Sequence, residues 1–188
     1  MKKFVFIPLS FIFLAISACS DKPAEQNKKI NDMTTASEVM TQASGNWQAN
    51  ADELSTQNKV DIQSDLLKLN QIVNAMNSRS VLLRNEIIAA KSNKEKINEI
   101  LAESHDLQKK ELEEFMQLDL KSAEVQAIRV QMIENLLLTQ KMFELSNQEN
   151  FNIERPTAEF KSLSLQSQKL QYTIGKKLNQ LNNEFSVN

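Results

Sequence analysis

The chain is poor in helix-breaking residues and in several residue types on which catalytic sites depend. Its 188 residues include two glycines, three prolines, one tryptophan, one tyrosine, one histidine and one cysteine. A single cysteine excludes an internal disulfide, so packing alone must hold the core. With two glycines the sequence contains neither a phosphate-cradling loop nor a Gly-x-Ser-x-Gly nucleophile turn. The absences therefore exclude the usual signatures of nucleotide-binding proteins and serine hydrolases.

The single histidine, His105, lies outside any recognised metal-binding motif. The Glu-x-x-His spacing of di-iron bundles is missing because position 102 is alanine, and no His-Glu-x-x-His motif occurs. We interpret His105 as a surface residue on a polar helix face. The alternative is a one-histidine metal site completed by Glu103 or Asp106. The sequence thus predicts no enzyme activity, no metal and no cofactor other than a covalent lipid, with a metal protein or enzyme based on His105 as an alternative hypothesis.

A short cluster of carboxylates follows in the same segment. Glu111, Glu113 and Glu114 come directly after Lys109 and Lys110. Paired carboxylates can perform acid–base chemistry on a sugar, but such a site also needs a cleft lined by aromatic side chains. The i, i+4 pairing of each lysine with a glutamate is typical of a solvated helix face. We therefore predict that this cluster is exposed.

The N-terminal residues have the three parts of a secretion signal. Lys2 and Lys3 supply positive charge, an apolar run extends to Ile16, and Ser17-Ala18 are small residues. The run is shorter than the roughly 20 residues that span a bilayer. Residues 16–19, Ile-Ser-Ala-Cys, resemble the lipobox of bacterial lipoproteins. The alternative is an ordinary secretory signal cut near Ala18, with a free Cys19 thiol.

The resemblance to lipoproteins implies a lipid anchor. It implies cleavage before Cys19, a diacylglycerol thioether on its sulfur and an acyl chain on its amino group, and several chains hold a protein on a membrane stably. Ser20 is not the aspartate of inner-membrane retention signals, which favours the periplasmic face of the outer membrane, whereas Asp21 leaves the inner membrane open. The resemblance thus divides the chain into a signal (1–18), a lipidated tether (19–30) and one domain (31–188).

The charge balance indicates which classes of partner to expect. Without residues 1–18 the chain has 20 basic and 24 acidic residues, a formal net charge of −4. A nucleic-acid-binding protein would be expected to have a basic face. We therefore predict a membrane partner through the N-terminal acyl chains, an envelope protein as a further partner, no nucleic acid and no small-molecule substrate.

The remaining sequence has a helical hydrophobic period almost throughout. Apolar residues recur at spacings of three and four in five segments: 33–54, 62–90, 93–117, 122–147 and 156–185. Gly45 is a possible break in the first, and Trp47 on its seam is either a core residue or an anchor for a partner. Ser92 and Glu95 predict a capping box for the third, whose polar middle predicts exposure. The sequence predicts an all-α up-and-down bundle of four to five long antiparallel helices with heptad-like seams.

The second segment has two apolar stripes. Its main seam continues without a lapse from Ile62 to Ala90, and a second stripe recurs at multiples of seven. The second stripe consists of Val60, Leu67, Val81 and Ile88. Either this helix covers two neighbours in the bundle, or the stripe is a surface for a partner. We expect a lipoprotein that binds another envelope protein as adaptor, scaffold or inhibitor, with a periplasmic chaperone or stress sensor for unfolded clients as an alternative.

Overall fold

The computed structural model describes residues 45–90 and 93–185, without the side chain of Lys94. Within these residues the chain forms four helices, α1 (Lys59–Ala90), α2 (Lys94–Gln117), α3 (Ala123–Ser146) and α4 (Ala158–Glu184), and no strand. The predicted all-α bundle is therefore confirmed, with four helices. The signal, the lipobox with Cys19 and the helix predicted for residues 33–44 lie outside the described residues.

Polar side chains fix where two of the helices begin. The Asn93 side chain accepts a hydrogen bond from the Lys96 amide at 3.1 Å and so caps α2. The prediction of a cap at Ser92 is wrong by one residue, because it is the Asn93 oxygen that reaches the third helical amide. The hydroxyl of Thr157, directly after Pro156, accepts from the Phe160 amide at 3.2 Å and caps α4.

Helix α3 is the central helix of the bundle. It packs against α1, α2 and α4, and so it is apolar on more than one side. The main core contains residues from all four helices and the segment before α1: Trp47, Ile62, Leu66, Leu69, Val73, Leu112, Phe115, Met116, Leu120, Val125, Ile128, Met132, Ile133, Leu136, Ile174 and Leu178. Burying one such aliphatic side chain stabilises the fold by about 1.5–3 kcal/mol.

Helices α1 and α2 form one helical hairpin, and α3 and α4 form another. The far end of each hairpin has a separate core. Leu83, Ala90 and Ile100 form a small cluster between α1 and α2. Another cluster, of Met142, Leu145, Phe160 and Leu163, lies between α3 and α4. The four helices therefore share one core at the end where α1 begins, and each hairpin is closed by its own residues at the other end.

Residues 45–58, before α1, are not an α-helix, in agreement with the predicted break at Gly45 and contrary to the helical spacing of residues 45–54. Residues 45–58, here called the strap, are irregular except for one 3-10 turn at Ala51–Glu53. Gly45 has φ +104°, and a Cβ there would lie 2.2 Å from the Met116 carbonyl oxygen. A left-handed residue pressed against another backbone ends the helical pattern. Trp47, 8% exposed, is a core residue.

One face of the polar middle of α2 is buried, so the expectation of an exposed middle is wrong for that face. Ser104, Gln108 and Glu111 are 5%, 3% and 0% exposed. They are spaced by four and three residues and are followed four residues later by buried Phe115. Such spacing places them on the same side of the helix as the core. Position on the inner face, rather than side-chain polarity, decides their burial.

Candidate interaction face

The four residues of the predicted second stripe all lie on the surface. Val60, Leu67, Val81 and Ile88 are 72%, 59%, 41% and 64% exposed. Leu67 and Val81 lie inside α1, where large aliphatic side chains are usually covered, and Val60 and Ile88 lie near its two ends. The rest of the described chain leaves these four largely uncovered, so within it α1 does not cover two neighbours with this stripe.

The stripe is longer and more uniform than its apolar members alone indicate. Nine positions at alternating spacings of four and three residues are all exposed, and none carries a charge. We call them the α1 stripe: Val60, Ser64, Leu67, Gln71, Asn74, Ser78, Val81, Asn85 and Ile88. An exposed helix face normally carries charged residues. The uncharged line continues along more than seven helical turns of α1.

The opposite side of α1 is firmly packed. Ile62, Leu66 and Leu69 are fully buried in the main core. The Asn70 amide donates a hydrogen bond to the side-chain oxygen of Asn182 in α4 at 2.8 Å. Because the inner side of α1 is fixed in this way, the stripe is presented on a rigid element, which lowers the entropy cost of binding.

Asp65 ties α1 to the corner between α2 and α3. Its fully buried carboxylate accepts hydrogen bonds from the Lys121 amide at 2.7 Å, the Ser122 amide at 2.7 Å and the Ser122 hydroxyl at 2.8 Å. Ser122 is the N-cap residue of α3, so a negative charge from another helix lies at the positive end of the α3 dipole. Asp65 thus holds α1 and the start of α3 in one arrangement.

Arg129 is a buried cation at the same corner. Its guanidinium donates hydrogen bonds to the Leu118 carbonyl, to the Gln126 side chain and, at 3.0 Å, to the Asn46 side-chain oxygen. Burial lowers the pKa of Arg129 to about 10, against the opposing effect of Asp65. The guanidinium therefore remains charged at neutral pH and fixes the strap on the α2–α3 corner.

Glu111 is a buried carboxylate with an incomplete set of partners. Its side chain is fully buried, and neither oxygen has a hydrogen-bond partner among the described residues. Its closest cation is the half-buried guanidinium of Arg79, 3.6 Å away. Burial raises the pKa of Glu111 to about 7, with Arg79 opposing and Glu114 adding to the shift. The prediction that the whole carboxylate cluster is solvated is wrong for Glu111 but correct for Glu113 and Glu114, which are exposed.

A shallow groove lies between α1 and α2 beside the stripe. Its volume is about 410 Å³, and its lining includes Arg79 and the stripe residue Gln71. The full lining is Gln71, Ile72, Ala75, Arg79, Glu114, Gln117 and Leu118. The groove borders the α1 stripe, and its charged lining residues are Arg79 and Glu114.

His105 is packed on an aromatic ring. Its imidazole stacks on Phe143 of α3 with ring centroids 4.1 Å apart, and its side chain is 15% exposed. The interpretation as a surface histidine is therefore wrong, because α3 covers the ring. Burial, assisted by Lys109, lowers the pKa of His105, and Asp106 opposes this effect. His105 accordingly connects the two hairpins as a largely neutral ring at pH 7.

Two searches of the described chain complete the site description. No group of three or more histidine, cysteine or acidic side chains lies close enough together to hold a metal ion in residues 45–90 and 93–185. In the same ranges no helix is both long and apolar enough to cross a bilayer. Glu103 and Asp106, the proposed companions of His105, are exposed.

Comparison with known proteins identifies the class and then the family. Residues 63–187 match the family described as Uncharacterised lipoprotein PM1805, and the chain belongs to this family. The match covers the four helices from the first turns of α1 onward, so the bundle is a lipoprotein domain. No curated protein and no solved structure matches the chain.

The sequence contained signals for some of the residues it failed to highlight. The nine-position stripe could have been found by asking which positions of α1 lack charge as well as which are apolar. Glu111 was detectable from its register, because it lies seven residues after Ser104 and four before Phe115. Asp65 has the same register signal, because it lies three residues after Ile62 and four before Leu69, but nothing in the sequence identifies its partners Lys121 and Ser122.

Proposed function

We propose that this lipoprotein is a non-enzymatic envelope protein, anchored through lipid on Cys19 to the periplasmic face of the outer membrane. It binds another envelope protein as adaptor, scaffold or inhibitor, and the contact is made by the α1 stripe. It needs no metal, cofactor or small-molecule substrate. Membership of a lipoprotein family supports the anchor, and the resemblance of residues 16–19 to a lipobox supports Cys19 as its site.

One observation carries the binding role. The α1 stripe is exposed, uncharged and fixed from behind by the core, and its Val60, Leu67, Val81 and Ile88 are large aliphatic residues. Recognition of a helix or an extended segment by such a surface uses apolar side chains repeated along one helix face. Exposed aliphatic residues aligned over a whole helix are costly in water, which favours a partner.

The alternative role as a chaperone or stress sensor for unfolded clients has less support. Such a role needs an adaptable apolar surface, for which exposed methionines are suited. Met116, Met132 and Met142 are buried and Met76 is half-buried, so the methionines of the described region fill the core. The metal-protein or enzyme alternative depends on His105. It has less support because the imidazole is packed against the ring of Phe143.

Site-specific photo-crosslinking in intact cells tests the proposed function. A photoreactive residue at position 67 should give a protein adduct, and the same residue at the exposed position 113 of α2 serves as the matched control. The substitution Val81→Asp should remove the adduct without loss of helical content, because Val81 lies on the surface. Absence of any adduct at position 67 in several growth conditions would contradict the proposal.

A further inference from the structure

We infer that the outer face of α4 rests on the anionic phospholipids of the membrane to which this lipoprotein is anchored. The face consists of Lys161, Leu165, Lys169, Tyr172 and Lys176, and it is called here the α4 face. The inference goes beyond the proposed function, because it concerns a different helix and assigns nothing to the α1 stripe.

Helix α4 differs in charge from the rest of the molecule. Residues 160–183 contain four lysines and no acidic residue, and they are the longest acid-free stretch of residues 19–188. The remainder of residues 19–188 has 16 basic and 24 acidic residues. Helix α4 therefore carries an excess of positive charge in an otherwise acidic protein.

Three of the four lysines lie on one side of α4 together with two large apolar side chains. The five positions of the α4 face follow one another at spacings of four, four, three and four residues. This spacing places them within an arc of about 80° along about 23 Å of helix. All five are exposed, Leu165 by 55% and Tyr172 by 75%. The opposite side of α4 is held in the main core by Ile174 and Leu178, so only the outer face is available for contact.

The lysines of the α4 face have no carboxylate partner among the described residues. Lys68, Arg79 and Lys141 on the other helices form ion pairs with acidic side chains. Within residues 45–90 and 93–185 none of the three lysines of the α4 face does so. The fourth lysine of the stretch, Lys177, donates a hydrogen bond to the side-chain oxygen of Gln131 in α3 at 3.3 Å. Three ammonium groups are thus available to an external anion.

A phospholipid surface fits the chemistry of this face. Peripheral helices bind membranes through large apolar side chains together with the attraction of basic residues to anionic lipid. Tyrosine is enriched at the depth of the headgroups, because its ring is apolar and its hydroxyl is polar. Lysine stems can lie along the apolar layer while their ammonium groups stay among the phosphates. Each lysine close to an anionic surface strengthens binding about fivefold.

The acidic remainder of the protein does not prevent this contact. Helix α2 has the largest acidic excess, with seven acidic and four basic residues, and it packs mainly against α1 and α3. A helix with its side chains is about 10–12 Å in diameter. Charges one helix away from the membrane are therefore beyond the Debye length of about 8 Å at physiological ionic strength. The acidic residues of α4 itself, Glu159 and Glu184, lie in its first turn and at its last residue.

The anchor supplies proximity to the membrane but does not select the face that meets it. Cys19 lies 26 residues before Gly45, a distance of at most about 90 Å in an extended chain. Such a reach allows any side of the bundle to approach the membrane, and attachment raises the effective concentration so that a weak contact is sufficient. An acidic protein segment would match the lysines equally, but only the membrane is brought close by the chain's own anchor.

A fluorescent label at position 165 tests the contact. The lipid-anchored protein is placed in phosphatidylcholine vesicles, with and without phosphatidylglycerol, that contain a nitroxide quencher on their headgroups. Because lipid occupies the Cys19 sulfur in the anchored protein, the label reacts only with Leu165→Cys or with the control Leu82→Cys. Leu82 is 62% exposed and lies off both the α4 face and the α1 stripe. With phosphatidylglycerol, quenching at position 165 should exceed that at position 82 at least about fivefold, and without it the difference should disappear.

Charge reversal separates the α4 face from the net charge of the protein. Lys169→Glu combined with Lys176→Glu should lower the equilibrium constant of the contact, measured by quenching at position 165, at least about 25-fold. Lys109→Glu combined with Lys110→Glu changes the net charge equally at exposed positions of α2 and should retain the quenching. Circular dichroism should be the same for both variants, because all four lysines are exposed.

Three results would overturn the inference. Equal quenching at positions 165 and 82 would show only the proximity that the tether provides. Quenching at position 165 that does not need phosphatidylglycerol, or that survives the charge reversal in α4, would remove anionic lipid as the partner. In cells, a photoreactive residue at position 172 that gives protein adducts instead of lipid adducts would assign the face to an acidic protein. The adduct at position 67 tests the proposed function separately from all three.

Discussion

A carboxylate without hydrogen bonds in a protein interior makes stability depend on pH. Glu111 is such a group, with Arg79 at 3.6 Å as its closest cation and a pKa raised to about 7. In the unfolded chain its pKa returns to 4.5. The folded state therefore holds the proton more tightly, and the stability that this provides is complete below pH 4.5 and is lost as the pH rises through 7.

The substitution Glu111→Gln should remove this dependence. Relative to the unsubstituted protein, the variant should gain about 3 kcal/mol in free energy of unfolding between pH 4 and pH 8, since each pKa unit corresponds to about 1.4 kcal/mol. Urea unfolding of the protein at several pH values measures this difference. The exposed Glu113→Gln is the matched control, and equal pH profiles for the two variants would contradict the assignment.

Loss of the Asp65 side chain should lower the stability of the fold markedly. The substitution Asp65→Ala leaves the Lys121 and Ser122 amides and the Ser122 hydroxyl without their acceptor. Unpaired buried donors cost about 1–3 kcal/mol each, although local relaxation prevents full additivity. We expect a loss of about 3 kcal/mol by denaturant unfolding. The control Asp61→Ala, in the first turn of α1, should lose less than about 1 kcal/mol; similar losses for both would refute the role of Asp65.

For single residues, sequence reasoning predicted correctly where the hydrophobic period decides which face of a helix a residue occupies. It marked Val60, Leu67, Val81 and Ile88 as a separate stripe, and the structure places them on the surface. It failed for Glu111 and His105, because polarity was given more weight than position along α2. The burial of both depends on what α1 and α3 place opposite them, which no local pattern contains.

The strap shows the same limit for whole elements. Residues 45–54 have helical spacing, yet contacts with the α2–α3 corner keep them irregular. The Asn46 amide donates to the Leu120 carbonyl at 2.6 Å, and the Ser55 amide donates to the Lys121 carbonyl at 2.8 Å. These long-range bonds outweigh a weak local preference for helix. By contrast, the bounds of the four helices were predictable to within a few residues, because strong periodicity and turn residues coincide there.

The substitution Gly45→Ala should loosen the strap without disturbing the helices. A methyl group at this position meets the Met116 carbonyl at 2.2 Å and disfavours φ +104°. Since Trp47 is the only tryptophan and is 8% exposed, its fluorescence should shift to longer wavelength in the variant. Circular dichroism should stay nearly constant.

A second glycine substitution provides the control for the strap. Gly175 lies inside α4, where alanine favours a helix by about 1 kcal/mol. Gly175→Ala should therefore leave the Trp47 emission unchanged. An unshifted emission in Gly45→Ala would show that the strap accommodates the methyl group.

For the molecule as a whole, attachment to the membrane should depend on a single sulfur atom. The substitution Cys19→Ser removes the thiol that lipid modification requires. We expect the variant to be found in the soluble fraction, and the unsubstituted protein in the membrane fraction with a mass increase from acyl chains. A membrane-bound Cys19→Ser variant, or an unmodified Cys19 in the membrane fraction, would contradict the anchor. Separation of inner and outer membranes then tests the proposed location.

The architecture of the whole molecule was predictable because few residue types oppose helix and the apolar period is long. The sequence predicts an all-α bundle, and the described residues form one. Its partner was not predictable in the same way. Binding depends on the difference between two surfaces, and a single sequence contains only one of them.

The position of the strap determines how mechanical force would pass from the anchor into the fold. A pull on the N-terminus does not reach α1 directly but first loads the contacts of Asn46 with Leu120 and Arg129. If these contacts and the later bonds of the strap, such as that between Ser55 and Lys121, all break, the 13 residues from Asn46 to Asn58 can extend to at most about 45 Å while the helices remain intact. The strap can thus lengthen under force between the membrane and the bundle before the helical core unfolds.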